Sequence, residues 1–277
     1  MKIRFTKMHG LGNDFVVIDA TKQPFKMTTS QVQQMADRRL GVGFDQLLVI
    51  EPHQNCTADF HMRIFNANGK EANHCGNGAR CIAYYIYSHK LIKRNASLRI
   101  STLKDILELE MQSNNKISVS MGVPRFNSAN IPFITYRTNN FYNLEIDNKK
   151  VRFNIVSIGN LHAIILVDTI NIRLVNKLGS RLSSHRCFPE GINVGFMQIV
   201  STRNIRLYVY ERGVGRTPAC GSGACAAVAI GRCLGLLKER VIVNQPGGSL
   251  VINWQGPSYQ IIMTGPATIV FHGEWLG

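Results

Sequence analysis

The apolar residues of this chain come mostly in short runs broken by glycine, asparagine and aspartate, the pattern of strands joined by turns. Lys2 to Lys7 predicts a first strand and Phe15 to Asp19 a second, with His9 to Asp14 between them as a turn-forming loop. Thr29 or Ser30 can cap a helix running through Arg39. Short buried strands are expected at Leu47–Ile50 and Asp59–Phe65. A polar loop, Asn66 to His74, then leads to Cys75 and an apolar helical run through Ile86. Strands follow at Leu98–Thr102, Ile106–Glu110 and Ile117–Met121.

The pattern then restarts. Val151 to Ser157 reads as a strand, Ile158 to His162 as a loop, and Ala163 to Asp168 as an apolar strand. Asn193–Val200 and Ile205–Tyr210 are strands, and Glu211 to Ala219 is a loop leading to Cys220 and a second helix. Strands near Val241, Val251, Ile261 and Ile269 finish the chain. Pro124 to Asn148 reads as a linker with an irregular insertion.

The two halves match in register. Cys75-Gly76-Asn77-Gly78-Ala79 recurs as Cys220-Gly221-Ser222-Gly223-Ala224, 145 residues later. Asn66 and Glu211 also differ by 145. Asn13 and Asn160 differ by 147, as do Gln46 and Asn193. Asp19 and Asp168 end the strands that follow the two asparagines. Several polar positions recurring at near-constant offset indicate an internal duplication. The expected fold is therefore α/β of the α+β type. It has two similar pseudo-symmetric domains, each a mixed or antiparallel sheet wrapped around a central helix. Residues 1–120 with 266–277 would carry Cys75, and residues 121–265 would carry Cys220. Ligand sites favour such domain interfaces, so the active site is expected in the cleft between them.

Composition narrows the reading. An apolar share of 45% and a charged share of 18% fit a globular chain, and no apolar run reaches the length of a membrane span. The charged N-terminus lacks the apolar core of a signal peptide, so the cytoplasm is the expected compartment. Seven cysteines, an odd number, argue against a disulfide framework, and their spacings do not suit zinc. The net charge of +15 invites nucleic acid as a partner, but the basic residues are scattered, and none is expected. Cys56, Cys81, Cys187, Cys225 and Cys233 read as inert core thiols.

Cys75 and Cys220 differ from those five because they share flanks and position. A thiol at a helix start sits beside unpaired N–H groups in the positive end of the helix dipole, which lowers its pKa and prepares an anion site. Two such thiols on opposite faces of a carbon suit stereochemical inversion. One thiolate removes the α-proton and the other thiol returns a proton to the other face. The helix-start N–H groups can hold the carboxylate and the charge that develops. No nucleotide-binding motif is visible, and two thiols make pyridoxal phosphate unnecessary, so no cofactor is expected.

These residues carry a resemblance. Met8-His9-Gly10-Leu11-Gly12-Asn13-Asp14-Phe15, Gly43-Phe44-Asp45-Gln46, Asn66-Ala67-Asn68-Gly69 through Arg80, and Glu211-Arg212-Gly213 through Gly223 resemble the diaminopimelate epimerases over nearly the whole chain. The resemblance implies interconversion of LL- and meso-diaminopimelate without a cofactor or metal, in lysine and peptidoglycan precursor synthesis, by a homodimer. It implies that Cys75 and Cys220 are catalytic, and that His162 and Glu211 tune the thiols. It implies substrate contacts from Asn13, Gln46, Asn66, Gly76, Asn77, Asn160, Asn193, Glu211, Arg212, Gly221 and Ser222. Arg212 suits the distal carboxylate. Phe271 matches a dimer-contact position where the family usually has tyrosine. The chain also departs from the family pattern at Asn68, Lys70, Leu161 and Arg216. The competing readings are a proline or hydroxyproline racemase-like isomerase of the same architecture, and a redox protein using Cys75 and Cys220 as a reversible pair.

Overall fold

The computed structural model describes residues 2–53, 57–72, 75–94, 96–126, 133 and 141–277. Cys56, His74 and most of the expected irregular insertion lie outside the described residues. The chain divides into two compact units, Met1–Ser120 with Thr264–Gly277, and Met121–Met263.

In the first unit, β1 (Ile3–Gly10) and β2 (Asn13–Asp19) form a hairpin. Leu11 and Gly12 alone make the turn, at φ 59° and 88°. The expected six-residue loop is therefore a two-residue turn, whose positive φ values match the strand twist. A helix α1 (Thr29–Ala36) follows, capped by Thr28 in a capping box with Gln31. It ends before Arg39, with Asp37 extended. Then come β3 (Gln46–Pro52), β4 (Phe60–Asn66), α2 (Gly76–Ser88), β5 (Leu98–Ser101), β6 (Ile106–Met111) and β7 (Ile117–Ser120). The last strand of the chain, β17 (Thr268–Trp275), pairs with β1. Reading from β17 to β6, neighbouring strands run antiparallel, antiparallel, parallel, antiparallel, parallel, antiparallel, and β7 adds one more antiparallel strand.

The second unit repeats this plan. Its elements are β8 (Tyr142–Ile146), β9 (Lys149–Ser157), β10 (Leu161–Leu166), α3 (Ile172–Ser183), β11 (Asn193–Ser201), β12 (Asn204–Glu211), β13 (Gly215–Thr217), α4 (Gly221–Cys233), β14 (Arg240–Gln245), β15 (Gly248–Asn253) and the first half of β16 (Ile262–Gly265). From β8 through β9, β10, β11, β12 and β14 to β15 the neighbours run in the same order of senses. Both parallel pairs of each unit are bridged by a helix, as parallel neighbours require. The duplication read from four polar positions is thus a duplication of topology.

Register confirms the offsets. Gln46 lies opposite Asn66 across β3 and β4, and Phe15 lies beside Gln46. His162 lies beside Asn193, and the β11–β12 register carries Asn193 to Glu211. Asp168 does not share in this match, because β10 ends at Leu166, the true counterpart of Asp19.

The helices differ in depth for a reason visible in their sequences. α2 and α4 are buried along almost their whole first three turns, with α2 packed among β1, β2, β3, β6, β7 and β17, and α4 among β9, β10, β11, β12 and β15. A helix apolar on all sides must be surrounded. α1 and α3 bury only one stripe, Val32, Met35 and Ala36 in one and Val175, Gly179 and Leu182 in the other. Helix α3 was not expected from the apolar runs, since Arg173, Lys177 and Arg181 interrupt its stripe. Cys81 and Cys225 are core residues, but Cys187 is half-buried and Cys233 exposed, so the inert-core reading fails for those two. Cys233 ends α4, where the helix emerges to solvent.

Candidate active site

Each cysteine is the N-cap of a central helix. Cys75 has extended backbone (φ −152°, ψ 101°), and its sulfur accepts the Gly78 N–H at 3.3 Å, the contact usually made by a serine or aspartate cap. Cys220 has the same backbone (φ −125°, ψ 113°). The second glycine of each motif sits where a side chain would crowd its neighbours. A Cβ at Gly78 would lie 3.0 Å from Leu48 Cδ2, and one at Gly223 would lie 3.0 Å from Val209 Cγ2 and 3.3 Å from the Cys220 sulfur. Each helix start is pressed against its own sheet and its own thiol.

In the first unit, Asn13 at the head of β2 reaches this helix start. Its Oδ1 accepts from Asn77 Nδ2 at 3.2 Å and lies 4.0 Å from the Cys75 sulfur. Its Nδ2 donates to Asp45 Oδ2 at 2.8 Å. Behind it stands an ion cluster. Arg38 makes a two-pronged contact with Asp14 (3.0 and 2.8 Å) and also reaches Asp45 at 2.7 Å, while Lys7 binds Asp14 at 2.5 Å and the Gly43 carbonyl. Hydrogen bonds from Arg38 and Lys7 outweigh burial and hold the Asp14 carboxyl well below the usual range. Gln46 donates to Asn66 Oδ1 across the strand pair at 2.9 Å. Gly76 begins the helix, so its N–H belongs to the unpaired first turn.

In the second unit, His162 is fully buried, and burial pushes its pKa down to about 3, so the ring is neutral. Its Nε2 lies 2.9 Å from Asn160 Oδ1 and 3.0 Å from Ser222 Oγ. Among the described residues its Nδ1, buried, has no hydrogen-bond partner. The single ring proton therefore belongs on Nε2, an assignment made from the acceptor at Asn160. The Ser222 hydroxyl then also accepts from Nε2 and keeps its own proton for the Cys220 sulfur, 3.7 Å away. Asn193 donates to the Leu161 carbonyl at 3.3 Å and accepts the Arg212 N–H at 2.9 Å. Arg212 is exposed, with one guanidinium N–H on the Glu190 carbonyl. Glu211 accepts the Thr217 hydroxyl at 2.5 Å.

The helix start alone predicts a lowered thiol pKa at Cys220, and the structure reverses this. Burial first, and the Glu211 carboxylate second, push the thiol well above its ordinary value. The dipole effect is worth only a fraction of full desolvation.

The sequence-predicted residues thus form two clusters, Asn13, Asn77 and Cys75 beside the Gln46–Asn66 pair in one unit, and Asn160, His162, Ser222 and Cys220 with Asn193, Glu211 and Arg212 in the other. Phe271 belongs to neither. It lies on β17, 46% exposed, edge-on to Phe5 at 5.9 Å. Sequence reasoning missed Gln245, at the end of β14, whose Oε1 accepts the Cys220 N–H at 2.8 Å. It also missed Asp45, which sat unused inside the Gly43-Phe44-Asp45-Gln46 motif.

Comparison with known proteins agrees with this architecture. The chain is 64% identical over 276 residues to a diaminopimelate epimerase of Coxiella burnetii (strain Dugway 5J108-111), covering 100% of both. It is 48% identical over 277 residues to one of Legionella pneumophila (strain Paris), again covering 100% of both. Among solved structures, a hydroxyproline epimerase from Agrobacterium vitis superposes with a TM-score of 0.71 at 14% identity, covering 99% of this chain and 92% of that one. A PhzF-family phenazine biosynthesis protein of Bacillus anthracis does so at 0.70 and 19%, covering 100% and 99%. At those identities the two structures speak for the fold alone. The diaminopimelate epimerase family model matches residues 5–127 and 154–270, one block around each thiol helix, and with relatives of such identity over the whole length the chain belongs to the diaminopimelate epimerase family.

Proposed function

We propose that the chain interconverts LL- and meso-diaminopimelate through Cys75 and Cys220, which exchange protons at one α-carbon from opposite faces. The observation that carries this is the duplicated N-cap thiol, one per unit, each at the start of a buried helix, the kind of terminus that favours an anion. One thiolate takes the α-proton and becomes a thiol. The other thiol gives its proton to the opposite face and becomes a thiolate. Each cysteine is base for one epimer and acid for the other. Backbone N–H groups at Gly76, Asn77, Gly221 and Ser222 bind the reacting carboxylate and stabilise the carbanion. The exposed Arg212 guanidinium takes the distal carboxylate in a two-pronged contact. Asn13, Gln46, Asn66, Asn160, Asn193 and Glu211 bind the remaining polar atoms. His162 and Glu211 tune Cys220, the first through Ser222 and the second by favouring the protonated thiol. The division into two domains, residues 1–120 with 266–277 and 121–265, gives each half one thiol.

The reaction needs no cofactor or metal in this reading, because the two thiols supply both proton transfers. The chain works in the cytoplasm as a homodimer, without nucleic acid or membrane as partner. Exposed Val270, Phe271 and Leu276 at the chain's end support the dimer contact, and no helix among the described residues is long and apolar enough to cross a membrane.

The test is LL-diaminopimelate in deuterium oxide. Deuterium should enter one α-carbon, and Cys75→Ala and Cys220→Ala should each lose epimerisation. Full epimerisation by either variant, or turnover of proline but not diaminopimelate, would overturn the reading.

A further inference from the structure

We infer that Asp45 is a positioning residue that sets which end of the Asn13 side-chain amide faces Cys75. The two ends of an asparagine amide are nearly equal in size, so partners alone decide its orientation. On the helix side, neither partner discriminates. Asn77 carries a donor and an acceptor. A cysteine donates as a thiol and accepts as a thiolate. On the other side stands a carboxylate, which accepts only. Asp45 Oδ2, 2.8 Å from Asn13, therefore demands the Nδ2 end and turns Oδ1 toward the sulfur and Asn77.

Asp45 can impose this because it is itself fixed. Arg38 holds its Oδ1 at 2.7 Å, and the Asp14 N–H reaches its Oδ2 at 3.2 Å. Arg38 and Lys7 in turn hold Asp14. The ion cluster is thus a clamp on one amide beside the thiol. Among the described residues, the ionisable groups of this unit around that helix start are Arg80 and Cys81 on α2, with Asp14, Asp45, Lys7 and Arg38 behind Asn13.

The consequence is chemical. The helix start and the Gly78 N–H favour a thiolate at Cys75. The inward-turned amide oxygen opposes that, since it can accept from S–H and repels S⁻. A group that must act as base in one direction and acid in the other works best with both forms within reach. Asp45, through Asn13, keeps the Cys75 proton exchangeable. Released from Asp45, the amide can invert and offer N–H to the sulfur, which favours the thiolate.

This rests on the role of Cys75 proposed above, but the test reads the thiol without turnover, so failure here is distinct from failure of deuterium exchange. In a Cys220→Ala background, the rate of iodoacetamide alkylation is followed against pH, with mass mapping of the Cys75 peptide. Asp45→Ala should move the midpoint to lower pH by about half a unit or more. Asp45→Asn offers Asn13 a donor as well as an acceptor and no longer decides its orientation, so its midpoint should move in the same direction. Arg38→Gln leaves Asp45 held by the Asp14 N–H and the Asn13–Asp45 bond intact, and it should lower the melting temperature while keeping the midpoint within about 0.2 unit of the parent. A purely structural Asp45 would lower the melting temperature in all three and move no midpoint. An unmoved midpoint in folded Asp45→Ala, or an equal shift in Arg38→Gln, would overturn the inference. If Asp45→Ala does not fold, Asp45→Ser makes the same test, since a hydroxyl both donates and accepts and no longer demands the Nδ2 end.

Discussion

Replacing Gln245 with leucine separates the holding of the Cys220 backbone from the stability of the fold. Gln245 is 8% exposed, and its two amide ends have opposite fates. Oε1 accepts the Cys220 N–H at 2.8 Å, whereas the buried Nε2 has no partner among the described residues. In Gln245→Leu the Cys220 N–H loses its acceptor, at a cost of about 1–3 kcal/mol for a buried orphan donor. The same change removes the orphan Nε2, which returns about the same amount. Leucine adds apolar burial worth at most about 1 kcal/mol. The net should lie within about 1 kcal/mol of zero, a melting shift of roughly 4 °C or less for a chain of this size. Catalysis has no such cancellation. The Cys220 N–H precedes the helix start that aims the thiol, and a displacement on the order of 1 Å costs about 100-fold. Epimerisation by Gln245→Leu should therefore fall about 10- to 100-fold at nearly unchanged melting temperature. A fall of more than about 10 °C would refute the cancellation, and unchanged kcat would refute the role of Gln245 in holding the thiol.

His162 is neutral in the fold and ordinary in the unfolded chain, where its pKa is near 6.5. Below pH 6.5 the unfolded chain gains a proton that the fold refuses until about pH 3, so stability should fall with acid. Between pH 6.5 and pH 5 this amounts to about 2 kcal/mol in urea unfolding, and His162→Gln should lose that part of the slope; an unchanged slope would count against a neutral buried ring. Lys7→Met leaves Asp14 with Arg38 and the Asp45 N–H and should destabilise by about 2 kcal/mol, less than the ~3–5 of a fully severed buried pair. A smaller loss in chemical denaturation would mean that the cluster is solvated.

What the sequence disclosed and what it hid have physical reasons. Strands buried on both faces, such as Leu47–Ile50 and Ala163–Ile165, advertise themselves as unbroken apolar runs. Helix α3 buries one stripe interrupted by Arg173, Lys177 and Arg181, so no apolar run marks it. The turn at Leu11-Gly12 was hidden because Leu11 adopts positive φ, a conformation that leucine rarely takes. Among site residues, Cys75, Asn13, Gln46 and Asn66 were legible because each has a partner in the other half. Gln245 has no partner in that repeat and contributes one side-chain oxygen to one backbone N–H, a role that only three-dimensional proximity reveals.

The two halves also show how a duplicated site diverges while its topology stays fixed. The position of Phe15 in the first half is that of His162 in the second, by the shared register with Gln46 and Asn193. Asn77 and Ser222 occupy equal places in the helix starts. In the first half, Asn77 meets an amide clamped by Asp45 and its ion cluster. In the second, Ser222 meets a buried neutral imidazole clamped by Asn160. Both arrangements fix the orientation of a polar group next to a thiol, one by a carboxylate that can only accept and one by a ring with a single proton to give. Racemisation needs each thiol to hold and to release a proton, so the two solutions must deliver similar proton affinities by different chemistry. Exchanging them should fail for that reason: Ser222→Asn removes the hydroxyl that links His162 to Cys220, and kcat/KM should fall by the same factor from both epimers, because one direction is the microscopic reverse of the other and each uses Cys220 once. An unchanged kcat/KM would show that the link from His162 through Ser222 does not act on Cys220.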